Sequence, residues 1–196
     1  MRMTTRKLVA TAAIGATAFA AAPAAVAFAD GPGTRESASV VQQIQQQTWP
    51  VYQRGDEGED IRAAQHLLRG YSLEPGASAR YDVPTNGVFD GVTEQALLSF
   101  QGWRNVPQTG KLDGATWDNF SSELENRPID GDHGNNAEHV TAVQVLLNKH
   151  GANIAEDGVF GTNTRNAVKS FQSDHGLEPD GDVGPLTFKA LVATSA

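Results

Sequence analysis

Asp157-Gly158-Val159-Phe160-Gly161-Thr162-Asn163-Thr164, followed by Ala167-Val168-Lys169-Ser170-Phe171-Gln172, has a related copy earlier in the chain, and this duplication is the key to its architecture. Gly158-Val159-Phe160 repeats Gly87-Val88-Phe89, Thr164 repeats Thr93, Ala167 repeats Ala96, and Ser170-Phe171-Gln172 repeats Ser99-Phe100-Gln101, all at an offset of 71 residues. Further on, Gly181 and Thr187 repeat Gly110 and Thr116 at the same offset. Upstream the offset becomes 79: Gly55 recurs as Gly134, Ala63 as Ala142, Gln65 as Gln144, and Leu67-Leu68 as Leu146-Leu147. The difference places eight extra residues in the first copy, within Tyr71 to Thr85, a stretch holding Pro75, Gly76 and Pro84. It reads as a loop insertion, since loops absorb length changes at small entropic cost. A fixed internal period is the mark of a structural unit used more than once.

Each copy reads as three helices, and the fold class is all-α. Ile61, Ala64, Leu67 and Leu68 keep helical spacing in the first helix of copy one, as Val140, Val143, Leu146 and Leu147 do in copy two. The second helix starts after Asp90, a good N-cap, or after Gly161 in copy two, and buries Ala96, Leu97 and Phe100 or Ala167, Val168 and Phe171. The third starts after Asp113 or at Gly184-Pro185, and buries Trp117 and Phe120 or Phe188 and Leu191. The expected division is two tandem three-helix modules, 49–124 and 133–196, joined by a linker at 125–132 that carries Pro128 and Gly131. Residues 30–48 read as a linker or as a short helix with Val40, Val41 and Ile44 on one side.

The N-terminus has the pattern of a secretory signal peptide, 1–29. Arg2, Arg6 and Lys7 precede an uncharged Ala-rich run from Leu8 to Ala22, and Ala27-Phe28-Ala29 fits the small-x-small cleavage rule. Removing these three basic residues would take the formal charge from −8 to −11. So acidic a chain repels polyanions, so nucleic acid is not an expected partner and any surface it binds must be recognised by a shaped site. After cleavage no membrane contact is expected. There is no cysteine, which excludes thiol nucleophiles and disulfide support.

The ordered series Gly55-Asp56-Glu57-Gly58-Glu59-Asp60-Ile61-Arg62-Ala63-Ala64-Gln65-His66-Leu67-Leu68, Asn86-Gly87-Val88-Phe89-Asp90-Gly91-Val92-Thr93 and Ser99-Phe100-Gln101 resembles the peptidoglycan-binding domain family of bacterial wall hydrolases. Copy two resembles it more closely, and the resemblance extends over residues 50–195. It implies a three-helix bundle that binds wall glycan-peptide, usually beside a catalytic domain. Copy one departs from the family pattern at Asn86, where the family has Asp, and at Asp90, where it has Gly.

On that reading the ligand-binding candidates are Asp157, Phe160, Thr164 and Gln172 in copy two, and Asn86, Phe89, Thr93, Gln101 and Trp103 in copy one. Each has a structural alternative. Gly158 permits a turn, Phe160 plugs a core, and the glutamines Gln65, Gln101, Gln144 and Gln172 either meet ligand or tie loops to helices. Trp117 suits core packing because Phe188 replaces it, whereas Trp103 aligns with Asp174 and suits an exposed contact. The histidines His66, His133, His139, His150 and His175 lack metal-ligand spacing, and Asp130-Gly131-Asp132 lacks the glycine and glutamate of a calcium loop, so neither a metal nor a cofactor is expected. No catalytic residue is identified: nucleophile motifs are absent, and the two modules leave little chain for a catalytic domain. The sequence therefore points to a secreted, monomeric, non-catalytic protein that binds bacterial peptidoglycan. A wall hydrolase or carboxypeptidase, or a module pair that binds a wall-enzyme partner, is the alternative.

Overall fold

In the computed structural model, residues 38–74, 77, 82–132 and 136–195 are described. The signal-peptide pattern, most of the insertion between Pro75 and Tyr81, and His133 to Asn135 lie outside them. Among the described residues seven helices occur in order: α1 (Ala38–Gln46), α2 (Glu59–Ser72), α3 (Gly91–Trp103), α4 (Gly114–Glu123), α5 (Ala137–Lys149), α6 (Thr162–Asp174) and α7 (Pro185–Ala193). The all-α expectation of three helices per copy is borne out by α2–α4 and α5–α7, with α1 in front of them.

Local chemistry sets the helix starts. Asp90 and Asp113 sit in extended backbone and accept hydrogen bonds from the Thr93 and Thr116 amides, satisfying orphan N–H groups of α3 and α4. Asn136 does the same for Glu138 at the start of α5. Pro185 opens α7, where its missing N–H costs nothing. The glycine at the start of α6, Gly161, supplies no side-chain cap.

The sequence leaves open how the copies meet. Equivalent helices pack on each other, α2 against α5 and α4 against α7. Lys149 of α5 bonds Asp60 of α2 at 2.9 Å. The repeat-equivalent pair, with the two copies exchanged, is His139 and Gly70, and a Cβ added at Gly70 would overlap the His139 imidazole. Trp117 and Phe188, which hold the same position in the two copies, meet each other with ring centroids 6.1 Å apart. Contacts that exchange in this way describe a two-fold, self-complementary arrangement, the geometry of a symmetric dimer made within one chain.

The seam is built like an interior. Ala63 and Ala142 share helical faces with the seam contacts and are fully buried. Trp49 stacks on Trp117 at 5.9 Å and tilts against Phe188 at 6.2 Å. Asp60, 7% exposed, is satisfied by Lys149 and by the Tyr52 hydroxyl at 2.6 Å. Within the stretch 125–132, expected to be a linker, Ile129 and Asp130 are buried, at 1% and 3% exposed, and the Ile129 backbone pairs with that of Val183, while 125–127 and 131–132 are exposed. An apolar side chain that can be buried gains more from packing than the linker gains from freedom. Tyr71, assigned to the insertion by sequence, extends α2 and stacks on Phe120. Residues 38–46 take the helical alternative, and Ile44 is buried where α1 packs on α7.

His139 gives the seam a pH dependence. Burial, reinforced by Arg127, pushes its pKa down to about 4 from 6.5. A depressed pKa means that the unfolded chain binds the proton more readily. The stabilisation is complete above pH 6.5 and is lost as pH falls from there toward 4. Thermal melts between pH 7 and pH 4 are expected to show Tm falling. His139→Phe, which has no proton to bind, is expected to flatten that part of the profile.

Candidate functional site

Four loops are held by one repeated device. In each, a buried glutamine accepts a hydrogen bond from the amide of a left-handed glycine and donates to the next residue's carbonyl and to a threonine in the following helix. Gln65 clasps Gly87, Val88 and Thr93, and Gln144 clasps Gly158, Val159 and Thr164. Gln101 clasps Gly110, Lys111 and Thr116, and Gln172 clasps Gly181, Asp182 and Thr187. All four glutamines are 0% exposed. The glycines lie at φ between +65° and +87°, a region other residues enter only with strain. Each glutamine thus fixes the loop that leads into the next helix, and its amide makes these bonds inside the chain.

One of these loops opens into a cavity of about 180 Å³ in copy two, lined by Gln144, Ile154, Ala155, Asp157, Val159 and the first turn of α6, Gly161 to Thr164. Asp157 is the only ionisable group in that lining. Its Oδ1 accepts from the Val159 amide and from Gln144 Nε2, both at 2.9 Å, and the Val159 bond above all holds its pKa below the usual carboxylate range. Val159 is 63% exposed, an apolar side chain presented to solvent at the rim. The N-terminus of α6 meets the cavity without a side-chain cap. Copy one differs at both points. Asn86 makes the same turn without a charge, its Oδ1 accepting from the Val88 amide at 3.0 Å, and Asp90 occupies the N-terminus of α3 with its own carboxylate.

The candidates named from sequence are therefore dispersed. Asp157 and Thr164 meet at the cavity. Phe160 lies beside it in the chain but faces Gly131 and the Arg165 guanidinium, 5.6 Å from its ring. Phe89 is 1% and Thr93 2% exposed, inside the core of copy one. Gln101 and Gln172 hold the loops before α4 and α7, away from the cavity. Trp103 is half-buried, edge-on to Phe100, with Arg104 over its ring. Sequence reasoning missed Ile154, Ala155, Val159, Thr162 and Asn163. The signal available for them was Gly161, whose lack of a capping side chain marks a helix terminus left open. Among the described residues no group of three or more His, Cys, Asp or Glu side chains is placed to hold a metal ion.

Two three-helix units with clasped loops and a shallow, singly charged cavity define a binding fold. The chain belongs to the family described as "Putative peptidoglycan binding domain", whose model matches residues 57–119 and 136–191. It is 38% identical over 86 residues to the zinc D-Ala-D-Ala carboxypeptidase of Streptomyces albus G, covering 42% of this chain and 30% of that one. It is 26% identical over 179 residues to the N-acetylmuramoyl-L-alanine amidase CwlL of Bacillus licheniformis, covering 81% of this chain and 49% of that one. The chain thus spans less than half the length of either relative. No solved structure matches.

Proposed function

We propose that this chain is an exported, non-catalytic peptidoglycan-binding protein whose principal ligand site is the cavity of copy two. The observation that carries this reading is the cavity itself, which combines an exposed apolar rim, an open helix terminus and a single carboxylate. Hydrolysis of a glycan by the usual route needs two carboxylates flanking the bond, and the cavity supplies one. The wall offers what the cavity suits: short peptides with methyl side chains for Val159, and carbonyl and carboxylate oxygens for the first amides of α6. Asp157, Thr162 and Asn163 are the proposed contacts, with Gln144 and the buried Thr164 positioning the loop and Phe160 supporting it from behind. In copy one Asn86 and Trp103 remain the proposed accessory contacts, while Phe89, Thr93 and Gln101 shape its loops.

Export follows from the signal-peptide pattern of residues 1–29, and association with the wall or release to the medium follows from export. The binding of a wall enzyme instead of the wall is the competing reading.

Incubation of purified protein with insoluble peptidoglycan sacculi, followed by sedimentation and turbidity measurement, tests the proposal. Co-sedimentation without clearing is the expected result. Protein left in the supernatant would overturn the wall-binding reading, and clearing would show that the chain is an enzyme.

A further inference from the structure

We infer that Arg62, a residue of copy one, is a positioning residue for the cavity of copy two. The inference rests on the proposed reading of that cavity as the ligand site. Glu156 stands in the chain between Ala155 and Asp157, both of which line the cavity. Its carboxylate is gripped at both oxygens by the Arg62 guanidinium of α2, with Nη2 to Oε1 at 2.9 Å and Nη1 to Oε2 as the second bond. Glu59, one turn earlier in α2, holds the same guanidinium through Nε at 2.8 Å. From the opposite side Asn148 of α5 accepts from the Ile154 amide and donates to the Ile154 carbonyl and to Glu156. The cavity wall 154–157 is thus suspended between a helix of its own copy and a helix of the other.

The arrangement is not a by-product of the repeat. The residue equivalent to Arg62 in copy two is Thr141. The equivalents of Asn148 and Glu156 in copy one are Arg69 and Thr85. None of these can reproduce the clamp, so it serves one cavity only. The planar fork of arginine suits a two-point grip on a carboxylate, which sets orientation as well as distance. Both side chains are about one-quarter exposed, at 24% and 26%, and the grip is two-pointed, so breaking it lowers stability moderately as well as loosening the loop. Its effect is to hold a short loop in register beneath the ligand. The copies are therefore not interchangeable: copy two supplies the cavity and copy one fixes one of its walls.

A double-mutant cycle on the whole protein tests this, with binding to soluble muropeptide fragments measured by calorimetry. Arg62→Ala and Glu156→Ala are each expected to weaken binding about tenfold, and the double variant no further. Arg62→Lys, which keeps one bond, should recover part of the loss. Tm should fall by about 2–6 °C, to the same extent in both variants, leaving the protein folded at the assay temperature. Amide exchange at 154–158 should quicken in Arg62→Ala while α2 keeps its protection. Unchanged affinity in Arg62→Ala would overturn the inference. So would weak binding in Arg62→Ala beside normal binding in Glu156→Ala, because Arg62 would then be touching ligand itself. If the unsubstituted protein binds no fragment, the proposed function falls and the inference falls with it. Failure of the substitutions alone leaves the wall-binding reading standing.

Discussion

Trp117→Ala is expected to destabilise the whole chain, not one half of it, by about 3–5 kcal/mol. The indole is 0% exposed, and its N–H donates to the Pro50 carbonyl at 3.0 Å. Trp49 stacks on one side of it, Phe120 meets it edge-on, and Phe188 of the other copy lies 6.1 Å away. Truncation leaves a cavity at the point where the copies meet, and a packed interior relaxes into such a void only in part. Trp49 and Phe188 then lose a common partner, so the damage crosses the seam. Urea titrations followed by far-UV circular dichroism, and by the fluorescence of the remaining Trp49 and Trp103, measure it. One coincident transition, shifted to lower urea, is the expected outcome. Two separate transitions, with copy two melting at its original midpoint, would show that the copies fold independently and that the seam is weak.

Gln144→Leu is expected to cost about 2–3 kcal/mol and to abolish measurable ligand binding. Leucine fills nearly the same space, so the loss is of hydrogen bonds and not of volume. The Gly158 amide loses its acceptor, and Val159 O, Thr164 Oγ1 and Asp157 lose a donor. Of these, the Thr164 bond is buried, and water cannot take it over without entering the core. The loop then loses the geometry that sets Asp157 and Val159 at the cavity. Gln172→Leu supplies the comparison. It breaks the same clasp in the loop before α7, so it should destabilise the chain to a similar degree while leaving sacculus binding intact. Equal loss of binding in both variants would mean that binding fails through general unfolding, or that the ligand site lies elsewhere.

Much of the architecture is legible in the residues themselves, because the interactions that define it are local. The spacing of Ile61, Ala64, Leu67 and Leu68 states a helix before any partner is known, and Asp90 and Asp113 state where two helices begin. The glutamines illustrate the boundary. Their recurrence marks Gln65, Gln101, Gln144 and Gln172 as significant, and each clasp closes onto a glycine and threonine that also recur. Whether such an amide faces a ligand or a backbone depends on which side of the helix the loop returns to, and sequence spacing does not specify that.

The sequence alone determined the duplication, the helical class, the starts of the second and third helices of each copy, many of the buried helix residues and the family. It could do so because helix periodicity, caps and glycine turns are written within a few residues of where they act. Only the tertiary structure decided that the copies share one interior, that Ile129 between them is buried, and that the cavity of copy two leans on copy one. Lys149 and Asp60 are 89 residues apart in the chain, and Arg62 and Glu156 are 94 apart. Read singly, each of those charges is an ordinary solvated side chain. Their meaning arises when α2 and α5 bury their remaining faces against each other, because that packing selects which distant groups come within hydrogen-bonding reach.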